Sequence, residues 1–67
     1  MLIKIKNQFF NSDKVLKLNY AVSEKNQKNY LIVELDTTKP QSKEFIEVTD
    51  SLEFDAIIQS VSNQLSR

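Results

Sequence analysis

NYLIVELD, residues 29–36, joins β-branched, aromatic and leucine side chains in a composition typical of a β-strand. Successive side chains of a strand point to opposite faces, and here both faces receive apolar residues. One face would carry Leu31, Val33 and Leu35. The other would carry Tyr30, Ile32, Glu34 and Asp36. A strand at 30–36 therefore needs a covering layer on one side and leaves apolar side chains on the other.

Three further segments alternate between apolar and polar residues, and they predict strands at 2–6, 15–22 and 43–48. In the second of these, alternation places Leu16 with Leu18, Tyr20 and Val22, and places Val15 on the opposite face. Polar residues at 11–13 and 23–29 predict turns, and Pro40 marks a break in pairing. Because the chain has no glycine, we expect turns with positive φ to use asparagine or aspartate, which indicates turn or edge positions for Asn7, Asn11, Asn26 and Asn29.

The C-terminal segment changes to a helical period. Its apolar residues follow one stripe of an amphipathic helix over about 51–65, formed by Phe54, Ile57, Ile58, Val61 and Leu65. Asp50 or Ser51 suits the N-cap, and Glu53 completes a capping-box pattern with Asp50. The sequence thus predicts an α+β fold, in which a small antiparallel sheet of about four strands is covered on one face by a C-terminal amphipathic helix (ββββα). We expect residues 1–67 to form a single domain.

The helix-free face of this sheet is the candidate binding surface. Tyr30 and Ile32 lie there, and Phe45 joins them if its neighbours in the strand at 43–48 turn inward. Val15, or one of Phe9 and Phe10, would extend the patch. Soluble monomers rarely expose large apolar patches. Three interpretations stay open: an ordinary surface shielded by lysine stems, self-association through this face or by edge pairing, and a site for another protein.

Composition excludes most catalytic designs. The chain contains no His, Cys or Gly, so it has no Ser-His-Asp arrangement, no thiolate, no conventional zinc site and no phosphate-binding glycine loop. Three acidic residues cluster at Asp50, Glu53 and Asp55, but their spacing fits no calcium loop. Favourable interaction of acidic side chains with the N-terminus of the helix explains them better. We therefore expect no enzyme activity, no metal and no cofactor.

Size and charge narrow the partner classes. A 67-residue domain is marginally stable. Because the chain has no Cys or His with which to form disulfides or a metal site, oligomerisation is the remaining common way to stabilise it, and this predicts a homodimer. No stretch suits a signal peptide or membrane span, so we expect a cytoplasmic protein with no membrane partner. Residues 1–28 carry a net charge of +4 and residues 29–67 a net charge of −4. This predicts either pairing of basic with acidic strands or a bipolar surface.

Nucleic acid is the alternative partner. The N-terminal half interleaves lysines with aromatic rings, as single-strand binders do, and the candidate residues are Lys4, Lys6, Lys17, Phe9, Phe10 and Tyr20. A ββββα chain also resembles, in topology alone, the dimeric PC4-type single-strand-binding coactivators. The neutral net charge and the single arginine weigh against this interpretation.

The favoured hypothesis is a non-enzymatic protein-binding module. Its most concrete version is a small inhibitor or regulator of a larger nucleic-acid-handling assembly, such as a phage-type anti-defence protein, whose acidic residues could imitate phosphates. The predicted protein-binding residues are three apolar anchors within a charged surround: Tyr30, Ile32 and Phe45, with Glu34, Asp36, Glu44 and Glu47.

Overall fold

Five strands and one C-terminal helix make up the fold seen in a computed structural model, which describes residues 1–38 and 42–66. The elements are β1 (Leu2–Ile5), β2 (Gln8–Asn11), β3 (Val15–Val22), β4 (Asn29–Leu35), β5 (Lys43–Val48) and α1 (Ser51–Leu65), with a 3₁₀ turn at Ser12–Lys14 between β2 and β3. The strands form two antiparallel sheets, the hairpin β1–β2 and the three-stranded meander β3–β4–β5. The predicted α+β class is confirmed. The break in pairing predicted at Pro40 lies outside the described residues.

The strand β2 was absent from the sequence prediction, which treated its residues as the approach to a turn. It forms because Lys6 and Asn7 close a tight hairpin that sets Phe10 opposite Ile3 and Phe9 opposite Lys4. Asn7 and Asn26 lie in turns as expected, but the positive φ expected at asparagine or aspartate occurs at the residue next to each of them. Lys6 and Gln27 adopt φ of 57°, while the adjacent Asn26 instead accepts a hydrogen bond from the Lys28 amide.

The core lies between the three-stranded sheet and a second layer made by the helix and the hairpin together. The sheet contributes its inward residues Leu31, Val33, Ile46 and Val48. The second layer contributes Val61 from α1 and Ile3, Ile5 and Phe10 from the hairpin. All of these side chains are buried, so helix and hairpin both cover the same face, which we call the inner face of the sheet.

A register shift between Val15 and Lys17 changes the start of β3. It turns Val15 onto the core cluster and leaves Leu16 exposed, the reverse of the simple alternation predicted for this strand. The extra residue of a bulge displaces the side-chain period by one, so residues before it exchange faces. Val15 and the buried Phe10 therefore lie away from the outer face, where either had been expected to extend the apolar patch.

The start of α1 follows the predicted cap. The Asp50 carboxylate accepts a hydrogen bond from the Glu53 amide at 2.9 Å, and Glu53 Oε1 accepts one from the Thr49 amide at 3.0 Å. The reciprocal bond thus reaches one residue further back than in a standard capping box. Lys6 Nζ lies 3.4 Å from the same Glu53 oxygen, which ties the hairpin tip to the helix. In the part of the chain that the structure describes, no helix is long and apolar enough to cross a bilayer.

Candidate functional site

The outer face of the three-stranded sheet presents nine side chains in three cross-strand rows, set by the register of β3, β4 and β5. The first row is Lys17, Glu34 and Lys43, the second is Asn19, Ile32 and Phe45, and the third is Ala21, Tyr30 and Glu47. Residues directly opposite in neighbouring strands bring their side chains within contact distance. Ile32 therefore occupies the centre of this face, which we call the outer face.

The predicted apolar anchors come together at the centre of the outer face. The Tyr30 and Phe45 rings meet edge to face, with centroids 6.2 Å apart and planes at 82°, and Ile32 is the cross-strand neighbour of Phe45. The Tyr30 hydroxyl accepts a hydrogen bond from Asn26 Nδ2 at 3.2 Å, which fixes the outer end of the ring. Phe45 remains 59% exposed, whereas Tyr30 and Ile32 are half-buried.

Ion pairs flank this apolar centre at both ends. Lys43 Nζ lies 3.6 Å from Glu34 Oε1, and Lys28 Nζ lies 3.3 Å from Glu47 Oε1. Lys17 is the cross-strand neighbour of Glu34 on the other side. Carboxylates and ammonium groups thus lie together at both ends of the apolar centre.

Two residues of the predicted acidic surround take other positions. Glu44 is the cross-strand partner of the buried Val33, so it belongs to the inner face, because side chains alternate along β5. Asp36 follows the end of β4, and its amide donates to the Lys14 carbonyl at 2.7 Å. The charged surround on the outer face therefore consists of Glu34 and Glu47 together with lysines that the prediction had not included.

The predicted nucleic-acid set is divided among different surfaces. Phe10 is in the core, and Tyr20 lies on the inner side, where its ring contacts Phe54 at a centroid distance of 5.3 Å and its hydroxyl donates to Asn29 Oδ1. Lys6 is engaged at the helix start, and Lys17 lies on the outer face of the other sheet. Only Lys4 and the exposed Phe9 are brought together, as cross-strand neighbours on the hairpin.

The acidic residues at the helix start serve the helix itself. Asp50 caps α1, and Glu53 binds the Thr49 amide and pairs with Lys6. Across residues 1–38 and 42–66, no three carboxylates lie close enough together to hold a metal ion.

Comparison of the chain with protein-family models, with curated proteins and with solved structures gave no match. The physical features of the outer face are therefore the basis for a functional assignment.

Side chains that protect strand edges were missed by sequence reasoning. The Gln64 side chain donates to the Lys4 carbonyl at 2.9 Å and accepts from the Lys4 amide at 2.8 Å, and so occupies the free edge of β1. Lys6 Nζ donates to the Glu47 carbonyl at 2.7 Å on the free edge of β5. Nothing in the local sequence of Gln64 indicates a partner 60 residues away.

Proposed function

We propose that this chain is a non-enzymatic protein-binding module whose contact surface is the outer face of the three-stranded sheet, and that it works as a homodimer in the cytoplasm. One observation carries the proposal: Tyr30, Ile32 and Phe45 form an apolar centre within a paired-charge rim. The helix and the hairpin both pack on the inner face, so nothing among the described residues forms a layer over this centre. Regulation or inhibition of a larger nucleic-acid-handling assembly, as by a phage-type anti-defence protein, is the concrete form of the proposal.

The arrangement has the features of a small interface. Aromatic residues are enriched at the centres of protein interfaces, and polar rims exclude water around them. The ring of Tyr30 is held by Asn26 and by Phe45, so little side-chain freedom is lost when a partner binds. Because Glu34 and Glu47 are paired with lysines, we favour apolar contact with a partner over imitation of nucleic-acid phosphates as the mode of binding.

A photo-crosslinking amino acid at Phe45 tests the contact surface. The matched control is the same substitution at Leu52, which is also apolar and 74% exposed but lies in the first turn of α1. Each variant is irradiated in a lysate of the organism that produces the chain. We expect a discrete adduct from position 45 that Ile32→Glu abolishes, and none from position 52. Equal labelling from both positions, or labelling that Ile32→Glu does not change, would contradict the proposal.

The second candidate function is single-stranded nucleic-acid binding on the hairpin, because the exposed Phe9 ring lies directly across from Lys4. A stacked base and a phosphate contact could use these two side chains. A salt titration of oligonucleotide binding, with Phe9→Ala beside the original chain, tests it. Binding that weakens steeply with salt and is lost in Phe9→Ala would support this function, and no binding at low salt would remove it.

A further inference from the structure

The free edge of β3 exposes a row of backbone groups that can be identified from the hydrogen-bond pattern. The Ser23 amide bonds the Lys28 carbonyl, and the Leu35 amide bonds the Ser42 carbonyl. Hydrogen-bonded and non-bonded pairs alternate along an antiparallel ladder. When this alternation is continued along the register from these two bonds, the even-numbered residues of β4 form backbone hydrogen bonds with β3, and the odd-numbered residues form them with β5. On β3, the N–H and C=O groups that point away from β4 are therefore those of Leu18, Tyr20 and Val22.

Two other strand edges are covered by side chains, and this one is not. Gln64 occupies the edge of β1 at Lys4, and Lys6 occupies the edge of β5 at Glu47. The remaining edge, that of β2, belongs to a strand of only four residues. Natural sheets protect edges by short strands, lysines or covering groups. The eight-residue β3 has none of these on its outward-pointing groups within the described residues, and Lys17, its only charged residue, directs its backbone toward β4.

An open apolar groove runs along the same edge. It is lined by Leu18 from β3 and by Ile58, Val61 and Leu65 from α1. The hairpin contacts the helix side that carries Ser60 and Gln64. With about 100° between successive helical residues, Ile58 and Leu65 project from the side away from the hairpin. The second layer thus stops short of the β3 edge, where Leu65 and Val22 remain exposed, Val22 by 56%.

We propose that a second copy of the chain occupies this edge, with its β3 paired antiparallel to the first about a two-fold axis. The inference rests on the proposed homodimer and names its interface. The product is a continuous six-stranded sheet with both helices on one face. An axis at Asn19 places Leu18 opposite Tyr20 of the second copy, with both side chains on the inner face.

A second copy fits this edge for three reasons. Leu18 and Tyr20 each offer a donor and an acceptor, so the two-fold axis at Asn19 pairs each of their free N–H groups with a free C=O group of the second copy. The Asn19 axis sets Lys17 opposite Ala21, so no like charges oppose each other. The helix sides that carry Ile58 and Leu65 then face each other across the axis and extend the apolar layer that each small domain leaves incomplete. The outer faces of both copies stay open, which gives the dimer two partner sites on one side.

Amide hydrogen exchange at low and high protein concentration tests this pairing residue by residue. We expect protection of the Leu18 and Tyr20 amides to rise with concentration. The amides of Lys17, Asn19 and Ala21 already bond to β4, so their protection stays nearly constant. A contact through the outer face would not produce this alternation.

Light scattering across the same concentrations uses three lysine substitutions at exposed apolar positions. Val22→Lys lies at the proposed interface, Phe45→Lys lies on the outer face, and Leu52→Lys is the control at the helix start. We expect Val22→Lys to raise the dimer dissociation constant about tenfold or more, because edge lysines oppose strand pairing, and we expect the other two to leave it within about twofold.

Two results would overturn the inference in distinguishable ways. A dimer that Phe45→Lys splits and Val22→Lys does not would move the interface to the outer face and leave the homodimer standing. A monomer at every concentration, with no rise in protection at β3, would remove the homodimer as well. Neither result depends on a heterologous partner, so the crosslinking test at Phe45 remains separate.

Discussion

The two faces of β4 differ far more in their surroundings than in their composition. Leu31 and Val33 are completely buried, whereas Tyr30 and Ile32, one residue away, are only half-buried. The inner pair packs against the helix and the hairpin, whereas the outer pair contacts cross-strand neighbours and, at the Tyr30 hydroxyl, Asn26 of the preceding turn. Hydropathy alone therefore does not identify the core of this small domain. The layer that covers a face decides whether its apolar residues stabilise the fold or remain available for contact.

Alanine substitutions on the two faces of β4 should give the largest contrast. Leu31→Ala removes fully buried methyl groups and leaves a cavity, so we expect a loss of about 2–5 kcal/mol in the free energy of unfolding. Ile32→Ala should cost about 1 kcal/mol, since its side chain is partly in water already. Urea denaturation at low protein concentration measures both. Equal losses would mean that the outer face is as fully covered in solution as the inner face.

The contact between helix and hairpin should contribute the next largest effect. Gln64→Ala leaves the Lys4 amide and carbonyl without their side-chain partners, and we expect a loss of about 1–2 kcal/mol with faster exchange of the Lys4 amide. Gln59→Ala is the matched control, because the bond that Gln59 makes among the described residues is to Asn63 of the same helix. A Lys4 amide that exchanges equally fast in both variants would show that Gln64 does not hold the β1 edge.

Local patterns in the sequence were sufficient for most of the fold. Alternation predicted the boundaries of β3 and β5 and the faces of β4, and the helical period with its cap residues predicted α1 over the observed span. The hairpin β1–β2 was only half predicted. Its second strand is four residues long and its turn uses Lys6 at positive φ, a position at which non-glycine residues give no reliable signal. The bulge at Leu16 was likewise invisible, since a one-residue shift leaves the composition unchanged.

The candidate site was predicted in its centre and for half of its acidic surround, Glu34 and Glu47. Tyr30, Ile32 and Phe45 follow from strand alternation once the inward residues are known. Their meeting across β4 and β5 depends on the register, which the sequence did not determine. Glu34 pairs with Lys43 of β5, and Glu47 pairs with Lys28 from the connection before β4. These ion pairs depend on the three-dimensional arrangement and could not be predicted from the sequence.

The cap of α1 should show a moderate effect that belongs to the inner layer. Asp50→Ala removes the acceptor of the Glu53 amide and should cost about 1 kcal/mol in the free energy of unfolding. Asp55→Ala removes an exposed carboxylate of the same helix and should change stability by less than about 0.5 kcal/mol. Thermal unfolding of the two variants side by side gives the difference. Similar losses would show that charge near the helix start matters more than the capping bond.

The rim of the outer face should contribute least to stability. A double-mutant cycle with Glu34→Ala and Lys43→Ala isolates their interaction, which we expect to be about 0.2–1 kcal/mol and to weaken in high salt, because Lys43 is exposed and the atoms lie 3.6 Å apart. A larger coupling that salt does not reduce would mean that the rim is held as rigidly as the core. With the expected small value, the ion pair between Lys43 and Glu34 is nearly neutral to folding, in contrast to the buried side chains of the inner face.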